Sequence, residues 1–379
     1  MRIAIACLFC SLSIWIPTTV LSQTEPSQTE PVPGAGRNGA AEHGSQAAAV
    51  EDLRVGKFRW QASAPLLAVD PDNLPPALDH PWVAVKDPSI VRFQKRWHLF
   101  CSLRRRKEGQ GRIRIGYLSF ADWQDAAEAK WNLLDLSMDY HGAPQVFYFT
   151  PHKKWYLVYQ LEDKSRGIPY GPCYSATDNI ADPASWTKPA PFYMRKPEGR
   201  PAGLDFWIIC DDDRAHLFFT SLDGRMWRAE TKLGQFPHGF GEPKVVLRGD
   251  VFEASHTYRL RGLDKYLTLI EAQGKSGGRG HRYYKAYIAD QLDGEWQELA
   301  ATAEKPFAGS VNVHSGEPRW TDSFSHGELI RPGYDQRLEV DPANLRFLFQ
   351  GLLDEHWGRQ YGGLSWRLGL LEPLAAGGQ

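Results

Sequence analysis

The sequence predicts an all-β fold, a five-bladed β-propeller, on three observations. A unit of apolar strand, short polar turn and aromatic or β-branched strand recurs five times along the chain. Matching positions such as Trp97, Trp155 and Leu217 lie about sixty residues apart, a length that suits a four-stranded antiparallel blade. Helical periodicity is nearly absent, apart from one short turn over 122–130. A two-sheet sandwich is the rival arrangement of the same strands.

In chain order, residues 1–22 read as a secretory signal peptide. Arg2 supplies the charged start, the apolar stretch 3–16 is too short to span a bilayer, and Ser22 offers a small residue at the cut. Residues 23–52 are rich in Gln, Pro, Gly, Ala and Ser and almost lack aromatic and β-branched residues, so a disordered linker is expected. The propeller is expected over 53–379, opening on the aromatic anchor Phe58-Arg59-Trp60. Its strand pairs are 89–93 with 97–100, 145–149 with 155–159, 206–210 with 216–219, 253–260 with 265–270, and 329–331 with 345–349. The first strand of each blade lines the central channel, and its start reaches one mouth.

Composition narrows the function classes. A net charge of −1 gives no field that would gather nucleic acid or an anionic membrane. Lys and Arg are scattered rather than striped, and the run Arg104-Arg105-Arg106-Lys107 reads as a solvated hairpin tip. The 14 Trp suit an aromatic β core and also faces on which sugars stack. Beyond the signal, Cys101, Cys173 and Cys210 allow at most one bridge, and no pair has metal-ligand spacing. Gly274-Lys275-Ser276 fails as a phosphate loop because Leu269 stands where its first glycine belongs. No nucleic-acid partner, no membrane partner after signal cleavage, and a monomeric protein are therefore expected.

Three stretches carry the chemistry. Asp87 in Val85-Lys86-Asp87-Pro88, Asp205 in Leu204-Asp205-Phe206-Trp207 and Glu253 in Phe252-Glu253-Ala254 each set one carboxylate in an apolar run. An unpaired carboxylate there is costly. All three fall at or near the start of a blade's first strand, so the fold would gather them at one channel mouth. Two carboxyls can cut a glycosidic bond, and a third nearby can raise the donor's pKa. Acids beside strands also serve as hydrogen-bonded structural groups, and the pattern alone leaves both uses open.

Those stretches come in series with Phe147-Tyr148-Phe149-Thr150-Pro151, His216-Leu217-Phe218-Phe219, Asp223-Gly224-Arg225, Pro306-Phe307-Ala308-Gly309, Ser325-His326-Gly327-Glu328-Leu329 and Gly369-Leu370-Leu371. In order and spacing this resembles glycoside hydrolase family 62, the α-L-arabinofuranosidases that remove arabinose side chains from xylan, over roughly residues 58–372. The resemblance implies an inverting propeller hydrolase acting on arabinoxylan. It implies Asp87 as general base, Glu253 as general acid, Asp205 as the acid that tunes the donor's pKa, and Lys86 and Tyr361 as substrate-binding residues. For an inverting pair the carboxyls stand about 6.5–9.5 Å apart. His326 resembles a central-channel histidine beside a bound cation, which implies a structural calcium with most of its shell from water, and no cofactor for the chemistry. Leu161, Phe206, Gly362 and Trp366 depart from the family pattern, so the arabinose pocket is expected to be kept more firmly than the cleft for the xylan chain. A propeller glycosidase for a β-xyloside or fructan, and a non-catalytic glycan-binding propeller, are the competing readings.

Overall fold

Short strands with buried aromatic and aliphatic side chains need a second sheet face to cover them, and stacking blades around an axis supplies one on each side. The computed structural model describes residues 39–70, 72–74, 81–106, 108–193, 199, 201–273, 282–358 and 360–374. Blade 1 runs outward from the channel through Trp82–Phe93, Arg96–Arg105, Ile113–Phe120 and Asn132–Leu133. Blade 2 is His141–Phe149, Lys154–Asp163, Ile168–Thr177 and Ala190–Pro191. Blade 3 is Leu204–Cys210, Arg214–Thr220, Arg225–Lys232 and Lys244–Arg248. Blade 4 is Glu253–Leu260, Lys265–Ala272, Tyr283–Ala289 and Gln297–Ala300, with Glu339–Val340 paired in parallel beside its first strand.

Blade 5 is built from both ends of the propeller. Ser323–Leu329, Phe347–Leu352 and Arg367–Pro373 come from its C-terminal part, and the next strand, Trp60–Ala62, from its N-terminal part. The ring is thus closed by strand pairing, and Trp60 locks it by donating its indole N–H to Phe307 O at 2.6 Å. Gln94 and Lys95, with φ of 49° and 63°, make the two-residue left-handed turn that suits a tight hairpin in blade 1.

Three expectations need correction or qualification. The first strand of blade 5 is Ser323–Leu329 rather than 329–331. Its polar residues hid it, yet all seven are buried, Phe324 and Leu329 in the apolar core and Ser325, His326 and Glu328 against polar partners. The expected linker over 23–52 is helical from Gly39 onward, in Gly39–Arg54. Ala47, Ala48 and Ala49 favour a helix there, and Leu53 pins its end in the core. The signal peptide, residues 23–38 and Gly274-Lys275-Ser276 lie outside the described residues. Cys101, Cys173 and Cys210 are buried free thiols. No helix among the described residues is long and apolar enough to cross a membrane.

Candidate active site

The site is made by a backbone irregularity that all five blades share. Near its start, each innermost strand carries one extra residue relative to its neighbour. Pairing passes from Lys86↔Ser102 to Ser89↔Phe100, from Gly142↔Gln160 to Gln145↔Val158, and from Leu204↔Thr220 to Trp207↔Phe218. It passes from Glu253↔Glu271 to Ser255↔Ile270 and from Ser325↔Gln350 to Gly327↔Phe349. Such bulges re-aim side chains at the rim of a sheet. In four blades the bulged residue is left-handed: Asp87 (φ 49°), Ala143 (φ 49°), Asp205 (φ 54°) and Ala254 (φ 48°).

A bulge takes a backbone N–H out of the ladder, and a buried one must find another acceptor. The preceding blade supplies it each time. Asp87 N–H donates to Gln350 Oε1 (2.8 Å), Ala143 N–H to Ser102 Oγ (2.8 Å), Asp205 N–H to Gln160 Oε1 (3.1 Å) and His326 N–H to Glu271 Oε2 (2.9 Å). Those four acceptors hold equivalent places on second strands. In blade 4 the cap is different: Ala254 N–H donates to Asp205 Oδ2 at 3.0 Å. Asp87 and Asp205 therefore share one register position, and Glu253 sits one residue earlier, level with Lys86.

Electrostatics separates the three acids. Asp87 is buried with Lys86 Nζ 3.5 Å and His326 Nδ1 3.7 Å from its Oδ1. Burial alone would raise its pKa, but Lys86, His326 and the Ser102 hydroxyl hold it below the ordinary value. Asp205 lies 3.7 Å from the other side of the same imidazole nitrogen. Burial first, then the charge of Asp87, push its pKa up to about 7. Glu253 is the most open of the three, with 20 % of its side chain exposed against 9 % for Asp87 and 5 % for Asp205. Burial raises its pKa to about 8; Arg282 pulls down, and Glu271 and Asp205 push up. The surroundings thus favour the ionised form of Asp87 and the protonated form of Glu253.

Lys86 links Asp87 to Tyr361. Its ammonium donates to Tyr361 Oη at 3.2 Å and lies 5.5 Å from that ring's centre. Burial would lower its pKa, but Asp87, Tyr361 and Glu253 more than compensate and keep it charged. Arg104 also lies over the Tyr361 ring, its guanidinium 5.7 Å from the centre, and pairs with Glu108. It is buried, so this part of the basic run is not a solvated tip. Gly362 leaves it room, since a Cβ there would stand 2.9 Å from Arg104 Nη2. Tyr140, bonded to Gln160, and Tyr170, 5.9 Å away ring to ring, bring further hydroxyls near the acids.

The cation implied at His326 meets a poor donor set. Its Nδ1 faces the two aspartates, its ring packs edge-on against His256 at 4.8 Å, and no group of three or more His, Cys, Asp or Glu among the described residues could hold a metal. Calcium takes six to eight oxygens. The side chains present do not make a protein-built calcium cage, so a calcium at His326 would take most of its shell from water.

Sequence reasoning missed Arg282, Glu271, Gln160 and Gln350. Arg282 Nη1 donates to Glu253 Oε2 (3.2 Å), Glu271 Oε1 (2.8 Å) and Ser325 Oγ (3.1 Å). Its guanidinium lies 4.7, 5.0 and 5.6 Å from the rings of Phe252, Trp357 and Trp366. Glu271 carries the same signal as the three chosen acids, a carboxylate in the apolar run Leu269-Ile270-Glu271-Ala272.

The family model described as glycosyl hydrolase family 62 matches residues 59–372. α-L-Arabinofuranosidase C of Cellvibrio japonicus (strain Ueda107) is 37 % identical over 321 residues, 83 % of this chain and 47 % of that protein. The chain thus spans about half the length of this curated relative. The solved catalytic domain of a Coprinopsis cinerea family 62 α-L-arabinofuranosidase superposes with a TM-score of 0.75 at 38 % identity, covering 84 % of this chain and 98 % of that one. The Podospora anserina α-L-arabinofuranosidase, solved with cellotriose, gives 0.73 at 36 % identity, again over 84 % and 98 %.

Proposed function

The chain belongs to glycoside hydrolase family 62, and on that premise we propose that it releases terminal α-L-arabinofuranosyl groups from an arabinoxylan-type polysaccharide by inversion. The observation that carries this reading is the gathering of Asp87, paired with Lys86 at 3.5 Å, and Asp205 about His326, with Asp205 holding Ala254 beside the more exposed Glu253, surroundings that favour an ionised Asp87 and a protonated Glu253.

In the proposed step, Asp87 takes a proton from a water molecule as the water oxygen bonds to C1 of the arabinose. The bond from C1 to the polymer oxygen breaks, and that oxygen takes the proton of Glu253. Asp87 ends protonated and Glu253 ionised, and solvent exchange resets both. Asp205 keeps the donor's proton in place through its nearby carboxyl and fixes Ala254 beside it. Lys86 and Tyr361 position the sugar. Secretion after cleavage near residue 22 and a monomeric state complete the proposal.

The test is arabinose release from arabinoxylan, arabinan and aryl arabinosides, with the first-formed anomer read by proton NMR. Release of the β-anomer from arabinoxylan is expected, with loss in Asp87→Asn and Glu253→Gln. Polymer binding without release would favour a glycan-binding propeller, and cleavage of xylobiose or fructan instead would favour another sugar.

A further inference from the structure

The residues at the equivalent second-strand position of the five blades are Ser102, Gln160, Thr220, Glu271 and Gln350, and all but Thr220 cap the next bulge. Four are neutral. Capping the next blade's bulge needs only an oxygen, and a glutamine amide supplies it at 2.8 and 3.1 Å in blades 5 and 2. Glu271 is wholly buried, and the cap does not explain why an acid rather than an amide stands there. It also lies directly across the hairpin from Glu253, so two acids face each other there.

Arg282 supplies the reason. One nitrogen, Nη1, bonds both acids, but it stands 2.8 Å from Glu271 and 3.2 Å from Glu253. Glu271 is held in turn by Ser325 Oγ at 2.9 Å and by His326 N–H, and cannot swing away. We propose that Glu271 is a positioning residue that draws the charge of Arg282 away from Glu253 and so keeps the donor protonated at the pH of catalysis. The inference rests on Glu253 being the donor.

The charges around Glu253 come from several elements. Arg282 and Glu271 face it within blade 4, Asp205 from blade 3, and Lys86 from blade 1. Tyr170 of blade 2 and Tyr361 complete the ring of titratable groups, with His326 and Asp87 beyond Asp205. Among the described residues only Arg282 pairs with Glu253 as a cation, so its other partner decides how much of that charge the donor feels.

The experiment is Glu271→Gln in the full chain, which gives blade 4 the residue that blades 2 and 5 already use. Two readouts are taken: the pH profile of kcat/KM on an aryl arabinoside, and the titration of the Glu253 carboxyl by carbon-13 NMR, assigned by its loss in Glu253→Gln. With Arg282 left to Glu253 alone, the alkaline limb and the carboxyl titration should both move down by about 1–3 pH units. Unmoved values in a folded variant overturn the proposal. Should Glu271→Gln fail to fold, Glu271→Gln/Arg282→Met removes the buried pair together, and its Glu253 must titrate at or above the wild-type pH; a lower value overturns the proposal equally. The NMR arm needs no turnover, so a wild type that releases no arabinose defeats the functional reading while the carboxyl titration still decides this one.

Discussion

Blades 1 and 2 begin their channel strands in the same way and put different chemistry on them. Lys86-Asp87-Pro88-Ser89 and Gly142-Ala143-Pro144-Gln145 make the same bulge, with φ of 49° at Asp87 and at Ala143. Each bulged N–H is capped from the preceding blade at 2.8 Å. The backbone device therefore belongs to the ring, and the carboxylate is an addition to it. Ala143 shows that a methyl satisfies the fold at this position, even with the strain of left-handed backbone. What blade 1 adds is a buried ion pair between Lys86 and Asp87, and the reason for it has to be sought in function.

The sharpest way to break that comparison is to remove the addition. Asp87→Ala should lower turnover roughly 10²–10⁴-fold, the usual worth of a general base. It should also lower Tm, because it strands the buried ammonium of Lys86. Lys86→Met/Asp87→Ala carries the blade 1 bulge to the neutral state of blade 2, so it should regain most of the lost Tm and none of the activity. Turnover retained in either variant would show that Asp87 is structural.

Glu253→Gln tests the opposite end of the cluster. Activity on arabinoxylan should fall about 10²-fold or more, and much less on an aryl arabinoside whose leaving group needs no proton. Stability should respond with a defined sign. The folded pKa of Glu253, about 8, lies above its ordinary value of 4.5, so its contribution is full below pH 4.5 and is lost as pH rises toward 8. Glu253→Gln should therefore match the wild type in Tm near pH 4.5 and exceed it near pH 8. Equal Tm differences at both pH values would mean that the donor's pKa is not raised.

Asp205 separates its two jobs by substitution. Asp205→Asn keeps an oxygen for Ala254 N–H and removes the charge that favours a protonated Glu253. Its Tm should stay near the wild type while the alkaline limb of activity moves down. Asp205→Ala leaves that N–H buried and unpaired and should cost about 1–3 kcal/mol as well, read from denaturant midpoints. Equal stability of the two variants would remove the cap from Asp205.

Much of this was legible in the residues. Aromatic strands around polar turns gave away four blades, and Asp87, Asp205 and Glu253 stood out as acids in apolar company. The first strand of blade 5 did not, because Ser323, Ser325, His326 and Glu328 face polar neighbours and carry no apolar pattern. The closing strand Trp60–Ala62 was illegible for another reason: its partner is three hundred residues away, and three residues hold no period. Glu271 carried the right signal and was passed over because only its register opposite Glu253 gives it meaning. Arg282 follows a polar stretch, and nothing local marks it as the cation of the site.

The smallest effect is expected where the ring breaks its own rule. Blade 3 places Thr220 at the position from which Ser102, Gln160, Glu271 and Gln350 cap the next bulge. Thr220 is buried, and its hydroxyl has no hydrogen-bond partner among the described residues, while Asp205 makes the cap instead. If the carboxylate has taken over that work, the hydroxyl is superfluous, and an unpaired buried hydroxyl is a cost rather than a gain. Thr220→Val keeps the shape and should change stability by no more than about 0.5 kcal/mol, in either direction. Gln350→Ala, which uncaps Asp87, should cost about 1–3 kcal/mol by the same measurement. A comparable loss in Thr220→Val would mean that Thr220 still caps Ala254, through water, and that the contact with Asp205 serves catalysis alone.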